Sequence, residues 1–378
     1  MKRVFISNLV FTVLVVSAAL LSCKNDNDDD DEIKKIYGQN RAGQILYKHI
    51  SGYTYEFTLT TFTYCLSLAD RPELEISWGD NTSSIISRIP RDRKNVEILP
   101  DNYQRNIYIG QHTFPAPGVY TVIVSDSTRN LGIENIPNSI DIQFGLKTIL
   151  IIDTNIGHNS TPEFLNYPIG KAAVGRKFVH NPAAYDTDGD SLSYELAICL
   201  REDGIEIETY TFPEASNELY VDPVYGDFVW DTPIKAGIYN FAMRINKWRY
   251  GIKIGSVIRD MQIEVIETDN RPPELPNFKD TCVIAGEKIS ITFDITDPDN
   301  DFINLTAVGT PFQLTESPAT LTINSSEPGK TTATFTWQTN SSHVRDQPYT
   351  VVFKAEDQNS DIKFVTLTNF NITVIEIN

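Results

Sequence analysis

The sequence predicts an all-β chain built from tandem β-sandwiches, and three observations lead to that prediction. Its 378 residues exceed the usual single domain of about 100–150 residues, so two or three domains are expected. Short segments such as Tyr53–Leu59 and Ile289–Ile295 alternate apolar and polar side chains, which is the pattern of half-buried strands. Gly, Pro, Asn and Asp separate these segments, and no stretch after residue 40 sustains a helical period. Many short strands of this kind are typical of β-sandwiches.

Residues 1–22 have the features of a secretory signal peptide. Lys2 and Arg3 precede an apolar run, Leu9–Leu21, as the basic start of a signal precedes its apolar core. The alternative is a transmembrane anchor, but the run is shorter than the ~20 apolar residues that span a bilayer. The segment Leu20–Cys23 resembles the bacterial lipobox, and this resemblance implies that cleavage leaves Cys23 as the lipidated first residue.

An acidic segment follows the cysteine. Residues 24–32 hold six acids, one base and no apolar side chain, so residues 23–37 are predicted to form a solvated, disordered tether. A lipobox followed by an acidic run also resembles the export signal of surface lipoproteins in Bacteroidota. The resemblance implies an outer-membrane protein that is held by a lipid anchor and exposed at the cell surface.

Composition excludes two classes of protein. With 32 Lys and Arg against 50 Asp and Glu, the formal net charge is −18, which argues against nucleic acid as a partner because a phosphate backbone requires a basic surface. Four cysteines in this length cannot make a disulfide scaffold. Besides Cys23 they are Cys65, Cys199 and Cys282, and their spacing leaves the pairing open.

An internal repeat marks two module boundaries. Three separated landmarks recur at a constant offset of 111 residues, which predicts two copies of one sandwich. The predicted modules are 38–155, 156–268 and 269–378. Trp230 and Trp337 correspond in the two copies, and each is predicted to lie in the core between the sheets rather than to form a ligand platform. The landmarks are residues 159–163 with 270–274, Gly175 with Gly286, and residues 186–190 with 297–301.

The first module carries a recognisable motif. Ile76–Thr82 followed by His112–Val122 resembles the polycystic-kidney-disease (PKD) module, an immunoglobulin-like sandwich of extracellular proteins. The family usually has Gly-Asp-Gly-Thr in its turn, and Asn81 takes the place of the second Gly. Asn suits this turn because it tolerates positive φ. His112 is predicted to be structural, packing and hydrogen-bonding beside Tyr120.

Two aspartate clusters carry the main chemical signal. Three carboxylates within five residues repel one another unless a cation neutralises them, and Ca²⁺ binds oxygens of this kind. An EF-hand is excluded, because the Gly and the closing Glu of its loop are absent. The alternative is that these segments are only turn formers. The predicted calcium ligands are Asp186, Asp188 and Asp190 in the second module, and Asp297, Asp299 and Asp301 in the third.

A second resemblance adds linker ligands. A Gly, a strand and an Asp-x-Asp-x-Asp segment in this order resemble the cadherin and dystroglycan-like sandwiches, in which the cluster meets the preceding linker. This implies ligands at Asn159, Asp269 and Asn270, with one ion between the first and second modules and another between the second and third. Glu356–Asp357 offers an extra acidic ligand where the second module has Asn246–Lys247, so the two sites are not expected to be equivalent.

The function predicted from these features is non-enzymatic. The chain has no His-Glu-x-x-His, Gly-x-Ser-x-Gly or Cys-x-x-Cys motif. It resembles the repeated PKD and cadherin-like regions of gliding-motility-associated surface proteins of Bacteroidota, which implies adhesion, scaffolding or surface-protein assembly with an unknown protein or glycan. The alternative is a carbohydrate-binding accessory lipoprotein of an outer-membrane glycan-uptake system. Its candidate platform is Trp248 with Tyr250, unless the loop itself covers Trp248.

Overall fold

A computed structural model describes residues 40–64, 71–89, 97–99 and 103–377. In these ranges the chain forms 24 β-strands and only short helical turns, so the predicted all-β chain of tandem immunoglobulin-like sandwiches is confirmed. No helix within the same ranges is long and apolar enough to cross a membrane. The predicted signal peptide, Cys23, the acidic tether and Cys65 all lie outside the described residues.

The described residues of the first module form eight strands in two layers. In one layer the order is β1-β2-β6-β5, and in the other it is β4-β3-β7-β8. Tyr55, Phe57 and Leu59 are buried as the alternation in β2 predicts, and they pack with Trp78 and Phe114 between the layers. The strands are β1 (Asn40–Ser51), β2 (Thr54–Tyr64), β3 (Glu73–Ser77), β4 (Ser83–Ser87), β5 (Glu97–Leu99), β6 (Tyr103–Thr113), β7 (Gly118–Thr128) and β8 (Gln143–Ile152).

The turn after β3 has the backbone that the sequence predicts. Asn81 has a φ of 69° and Gly79 a φ of 82°, both in the left-handed region that Asn and Gly tolerate. A Cβ atom on Gly79 would lie 2.5 Å from the carbonyl oxygen of Thr121, so this position requires glycine. His112 Nε2 lies 2.7 Å from Asp80 Oδ2, and its ring stacks on Trp78 at 4.8 Å. The histidine therefore fixes the turn against the core.

The second module places a large sheet against a small one. Its strands β13, β16, β17 and β10 are neighbours in that order, with β10 parallel to β17, while β11, β15 and β14 form the small sheet. The strands are β9 (Glu163–Phe164), β10 (Ile169–Ala173), β11 (Phe178–His180), β12 (Ala184–Tyr185), β13 (Ser191–Ala197), β14 (Leu219–Val221), β15 (Phe228–Trp230), β16 (Gly237–Arg249) and β17 (Ile252–Ile266).

The third module repeats this arrangement. Strands β18-β24-β23-β20 form one sheet and β19-β22-β21 the other, with a short helix, α1 (Thr310–Gln313), after β20. The strands are β18 (Thr281–Ile284), β19 (Lys288–Thr296), β20 (Ile303–Gly309), β21 (Thr320–Glu327), β22 (Lys330–Gln338), β23 (Tyr349–Asp357) and β24 (Val365–Ile375).

The two tryptophans of the repeat occupy matching positions. Trp230 and Trp337 are both fully buried. Their indole N–H groups donate to the backbone carbonyls of Glu214, at 3.0 Å, and Ser317, at 3.1 Å. Burial with a satisfied N–H confirms the prediction that each tryptophan is a core residue.

Main-chain pairing joins the first module to the second. Strand β17 pairs with β8 near its start, through Gly255–Val257, and with β1 near its middle, at Asp260, so strands of both modules belong to one sheet. Ala42 and Phe62 of the first module pack into the same core cluster as Trp230. The predicted boundary at 155 and 156 therefore separates chain segments that share a sheet and part of a core, and the module boundaries remain predictions.

A buried ion pair lies at the same junction. Arg129 Nη2 contacts Asp260 Oδ2 at 2.7 Å, and Arg129 Nη1 contacts Asp260 Oδ1 at 3.2 Å. Neither side chain is exposed. Asn240 Nδ2 donates a further hydrogen bond to Asp260 at 3.0 Å, and Arg129 also donates to the carbonyl of Leu200 at 2.8 Å. Because both charges are paired and hydrogen-bonded, the junction can hold them without water.

The second and third modules meet through a smaller contact. Asn369 Nδ2 donates to both carboxylate oxygens of Asp227, at 2.6 and 2.7 Å. The hydroxyl of Tyr225 donates to Asp280 at 2.8 Å. Ala183 packs beside these bonds in a buried apolar cluster with Val352 and Leu367 of the third module. These contacts bring the aspartate cluster of the second module, Asp186–Asp190, close to the third module.

Candidate functional site

The second-module cluster is organised by its first aspartate. Asp186 follows β12, and its Oδ1 accepts the backbone N–H groups of Asp188 at 3.0 Å and Asp190 at 2.9 Å. This turn directs the three side chains to one side, and their carboxylate oxygens lie within 4.8 Å of one another. The sequence spacing therefore produces the convergence of carboxylates that it predicts.

A lysine neutralises these three carboxylates. Lys247 Nζ lies 2.8 Å from Asp186 Oδ2, 2.8 Å from Asp188 Oδ2 and 2.9 Å from Asp190 Oδ2. Its side chain is only 2% exposed. Strand pairing brings the ammonium there, because β16 is antiparallel to β13 with Lys247 opposite Leu192, just beyond the cluster.

An arginine completes the arrangement. Arg249 Nε lies 2.6 Å from Asp190 Oδ1, and its Nη2 lies 2.7 Å from Asp190 Oδ2. Burial opposes ionisation of Asp190, but hydrogen bonds from Arg249 and Lys247 hold the pKa of this carboxyl below its usual value. Three carboxylates and two side-chain cations leave this cluster nearly neutral.

The calcium prediction for the second cluster does not fit this geometry. The Lys247 ammonium occupies the position between the carboxylates that a cation would need. Calcium could bind only by displacing a buried charge that already has three carboxylate partners. We therefore retain the calcium prediction for the third module alone.

The third-module cluster has the same backbone arrangement. Asp297 Oδ1 accepts the N–H groups of Asp299 at 2.9 Å and Asp301 at 3.0 Å. The backbone N–H of Arg271 donates to Asp299 Oδ2 at 2.7 Å, just as that of Ser160 donates to Asp188 at 2.7 Å in the second module. The repeat in the sequence is thus a repeat of hydrogen bonds.

The central residue differs between the two clusters. Asp357 lies opposite Ile303 in the β20–β23 pair, as Lys247 lies opposite Leu192 in β13–β16. The third module therefore has a carboxylate where the second has an ammonium. Asp357 is fully buried. Its burial, together with the nearby Asp297 carboxylate, raises the pKa of Asp357 to about 6.

Two buried oxygens around Asp357 lack a hydrogen-bond donor. Asn270 Nδ2 donates to Asp357 Oδ2 at 3.0 Å, but Asn270 Oδ1 is buried without a hydrogen-bond partner. Asp297 is only 5% exposed, and its Oδ2 also has no partner. Among the described residues, Arg271 is the one side-chain cation paired with the cluster, and it contacts Asp299 at 2.6 Å. Four carboxylates and one cation leave a strong excess of negative charge.

These donors are of the chemical type that a hard cation prefers, but in the described part of the chain only Asp186, Asp188 and Asp190 bring three carboxylates within 4.8 Å of one another. Calcium prefers carboxylate and amide oxygens, and buried oxygens without donors are costly unless something neutralises them. The residues that would hold it are Asp297, Asp301, Asp357 and Asn270, with Asp299 at the edge beside Arg271.

The remaining linker residues have other roles. Asn159 Nδ2 donates to the Tyr47 hydroxyl at 3.0 Å and to the Ile254 carbonyl at 2.7 Å, which ties the linker to the first module. Its Oδ1 has no hydrogen-bond partner. Asp269 is exposed, and within the described part of the chain no hydrogen bond or ion pair joins it to the cluster.

The candidate sugar platform offers one exposed aromatic. Trp248 is half-buried, and its indole N–H donates to Ser193 Oγ at 2.8 Å. Tyr250 is 92% exposed at the hairpin between β16 and β17, with a φ of 51°. The two residues therefore do not present a matched pair of exposed rings.

Cys199 and Cys282 are both free thiols in the structure. Cys199 is buried and follows the end of β13 rather than lying within a strand, while Cys282 is exposed on β18. Burial raises the pKa of the Cys199 thiol well above its usual value. The neutral thiol is thus a packing element of the second module.

Sequence reasoning missed the buried charges of β17. Arg259 and Asp260 are both buried in a strand that is otherwise largely apolar. Adjacent opposite charges within such an apolar strand indicate that a buried partner lies elsewhere in the chain, because charged residues are almost never fully buried without partners. The partner of Asp260, Arg129, lies 131 residues away in sequence.

No family model and no curated protein matches the chain. Among solved structures it is similar to the N-terminal four Ig domains of Dscam1 isoform 6.44, with 11% identity over 89% of this chain and 78% of that chain and a TM-score of 0.23. Zebrafish RET cadherin-like domains 1 to 4 match with 12% identity over 91% and 74%, and a TM-score of 0.18. The sialic acid binding region of the Streptococcus sanguinis SK1 adhesin matches with 14% identity over 88% and 78%, and a TM-score of 0.24. TM-scores this low do not establish a common function.

Proposed function

We propose that this chain is a non-enzymatic cell-surface protein of tandem immunoglobulin-like modules, stabilised by calcium bound in its third module. Its role is adhesion, scaffolding or assembly of other surface proteins, and Cys23 carries the lipid that anchors it in the outer membrane. The observation that carries the proposal is the third-module cluster, where a buried Asp357 takes the place of the Lys247 ammonium of the second module.

The position of the cluster links calcium to the mechanics of the chain. Asn270 belongs to the linker that follows β17, and it bonds directly to Asp357 at the end of β23. A cation held by both would fix the linker to the third module. A fixed linker would stiffen the junction between the second and third modules, as a surface protein of tandem modules requires.

Calcium at millimolar concentration is expected to raise the melting temperature of the purified protein by several degrees relative to a chelator. Binding to the folded state alone stabilises it by about 1.4–2.7 kcal/mol when calcium is about 10–100 times its Kd, which corresponds to several degrees for domains of this size. Differential scanning calorimetry with calcium and with EDTA provides the measurement.

A matched pair of variants locates the effect. Asp297→Asn should abolish the difference between calcium and EDTA, while Asp186→Asn at the equivalent position of the second module should leave it intact. Equal melting curves of the unaltered protein in calcium and EDTA would contradict the proposal.

A further inference from the structure

A cavity of about 460 Å³ lies between the first and second modules. Strands β1, β2 and β6 form one wall, and the segment 160–167 with β17 forms the other. Exposed Lys48, Glu163 and Thr187 stand at its rim, so the cavity is open to solvent. Its volume is within the range of about 300–1,000 Å³ that is typical of small-molecule sites.

Arg259 lines this cavity with an unsatisfied guanidinium. The residue is 1% exposed. Its Nη2 donates to the carbonyl of Asn166, and its guanidinium lies 5.0 Å from the centre of the Phe164 ring. Nε and Nη1 are buried and have no hydrogen-bond partner, and no carboxylate pairs with Arg259 among the described residues. Burial lowers the pKa of Arg259 to about 9.

A comparison with Arg129 shows that a buried arginine without a carboxylate partner is unusual. Arg129 is equally buried, but Asp260 neutralises it and the Leu200 carbonyl accepts a further bond. A buried guanidinium without a counter-charge is strongly unfavourable, and buried charges in folded proteins are paired as a rule. The described part of the chain thus supplies no counter-charge for Arg259, and the open cavity is a route by which an anionic ligand can reach it.

A buried acceptor lines the same cavity. Gln44 is 7% exposed, and its Oε1 has no donor. Thr58 and Thr60 add hydroxyl groups, and Phe62 and Phe164 add aromatic surface. A ligand that complements these side chains needs an anionic group to pair with Arg259 and a hydroxyl group to donate to Gln44 Oε1. It also needs an apolar face to pack against the Phe62 and Phe164 rings. Guanidinium groups bind carboxylates well, and acidic sugars combine all three features.

We propose that this cavity binds a small hydroxylated carboxylate of the uronic-acid class, with its carboxylate paired to Arg259 and a hydroxyl donated to Gln44. Glu56 and Glu163 also line the cavity. Glu56 accepts a hydrogen bond from Gln111 at 3.0 Å, and Glu163 is exposed at the rim. Lys48 and Arg105 also line the cavity, so the charges of Glu56 and Glu163 are balanced and Arg259 supplies one net positive charge, which matches a ligand with a single carboxylate. The site is separate from the calcium cluster and does not depend on it.

Isothermal titration calorimetry of the purified protein with glucuronate, glucose and inorganic phosphate tests the assignment. Glucuronate is expected to bind saturably, whereas glucose, which lacks the carboxylate, and phosphate are expected to bind at least about tenfold more weakly. Arg259→Met should weaken glucuronate binding by about tenfold or more, because a hydrogen bond to a charged group is lost. Arg244→Met is the matched control, since Arg244 lies outside the cavity and pairs with Glu195 at 3.0 Å.

A thermal melt separates a binding role from a structural one. Because Arg259 carries an uncompensated buried charge, Arg259→Met is expected to melt at the same temperature as the unaltered protein or higher. A second variant, Gln44→Met, should weaken glucuronate binding without removing a charge. Absence of saturable glucuronate binding, equal binding of glucose, tighter binding of phosphate, or undiminished binding by both variants would each overturn the proposal.

Discussion

Replacement of Arg129 by methionine is expected to lower the free energy of unfolding by about 3–5 kcal/mol. The substitution removes the charge that neutralises Asp260, which is fully buried where β1 meets β17. The Asp260 carboxylate would keep the hydrogen bond from Asn240 but lose its ion pair. Urea denaturation followed by circular dichroism measures the loss.

A double variant distinguishes charge from packing. Arg129→Met combined with Asp260→Asn leaves no uncompensated charge, so it should recover much of the stability that the single variant loses. If Arg129→Met alone costs less than about 1 kcal/mol, as an exposed pair would, the ion pair does not hold the first two modules together as described.

Replacement of Lys247 by aspartate is expected to make the second module dependent on calcium. Without calcium, the variant leaves four carboxylates with Arg249 as their nearest cation, and breaking a buried ion pair in this way costs about 3–5 kcal/mol. With millimolar calcium, much of this loss should be recovered, because the cluster then matches the third module. Melting curves of the variant in calcium and in EDTA measure both effects.

Lys247→Met is the control for this substitution. It removes the ammonium without supplying a fourth carboxylate, so it should destabilise the module and recover less in calcium than Lys247→Asp. A calcium-minus-EDTA difference in Lys247→Asp that is no larger than in the unaltered protein would show that the Lys247 ammonium does not take the place of a calcium ion.

Much of the fold could be predicted because its signals are local. The alternation in Tyr53–Leu59 places alternate side chains on one face, and those of Tyr55, Phe57 and Leu59 are buried in the structure. The offset of 111 residues reappears as matched hydrogen bonds at Asp186 and Asp297. Periodicity and spacing depend on near neighbours in the chain, so a single sequence contains them.

The occupant of each aspartate cluster could not be predicted in the same way. The sequence shows that Lys247 and Asp357 differ, but only the pairing of β13 with β16 places the ammonium among three carboxylates. Strand register depends on contacts between residues that are 45 to 57 positions apart, from Ala197–Ala242 to Ser191–Trp248. The cavity at Arg259 depends on a still longer contact, since β1 and β17 meet through residues separated by more than 200 positions.

Calcium is expected to bind at the third-module cluster and not at the second-module cluster. Isothermal titration of the purified protein with calcium tests this most directly, together with Asp357→Lys, which places an ammonium where the second module has Lys247. We expect one calcium per chain in the unaltered protein and none in Asp357→Lys. Two calcium ions per chain, or one that persists in Asp357→Lys, would contradict the account.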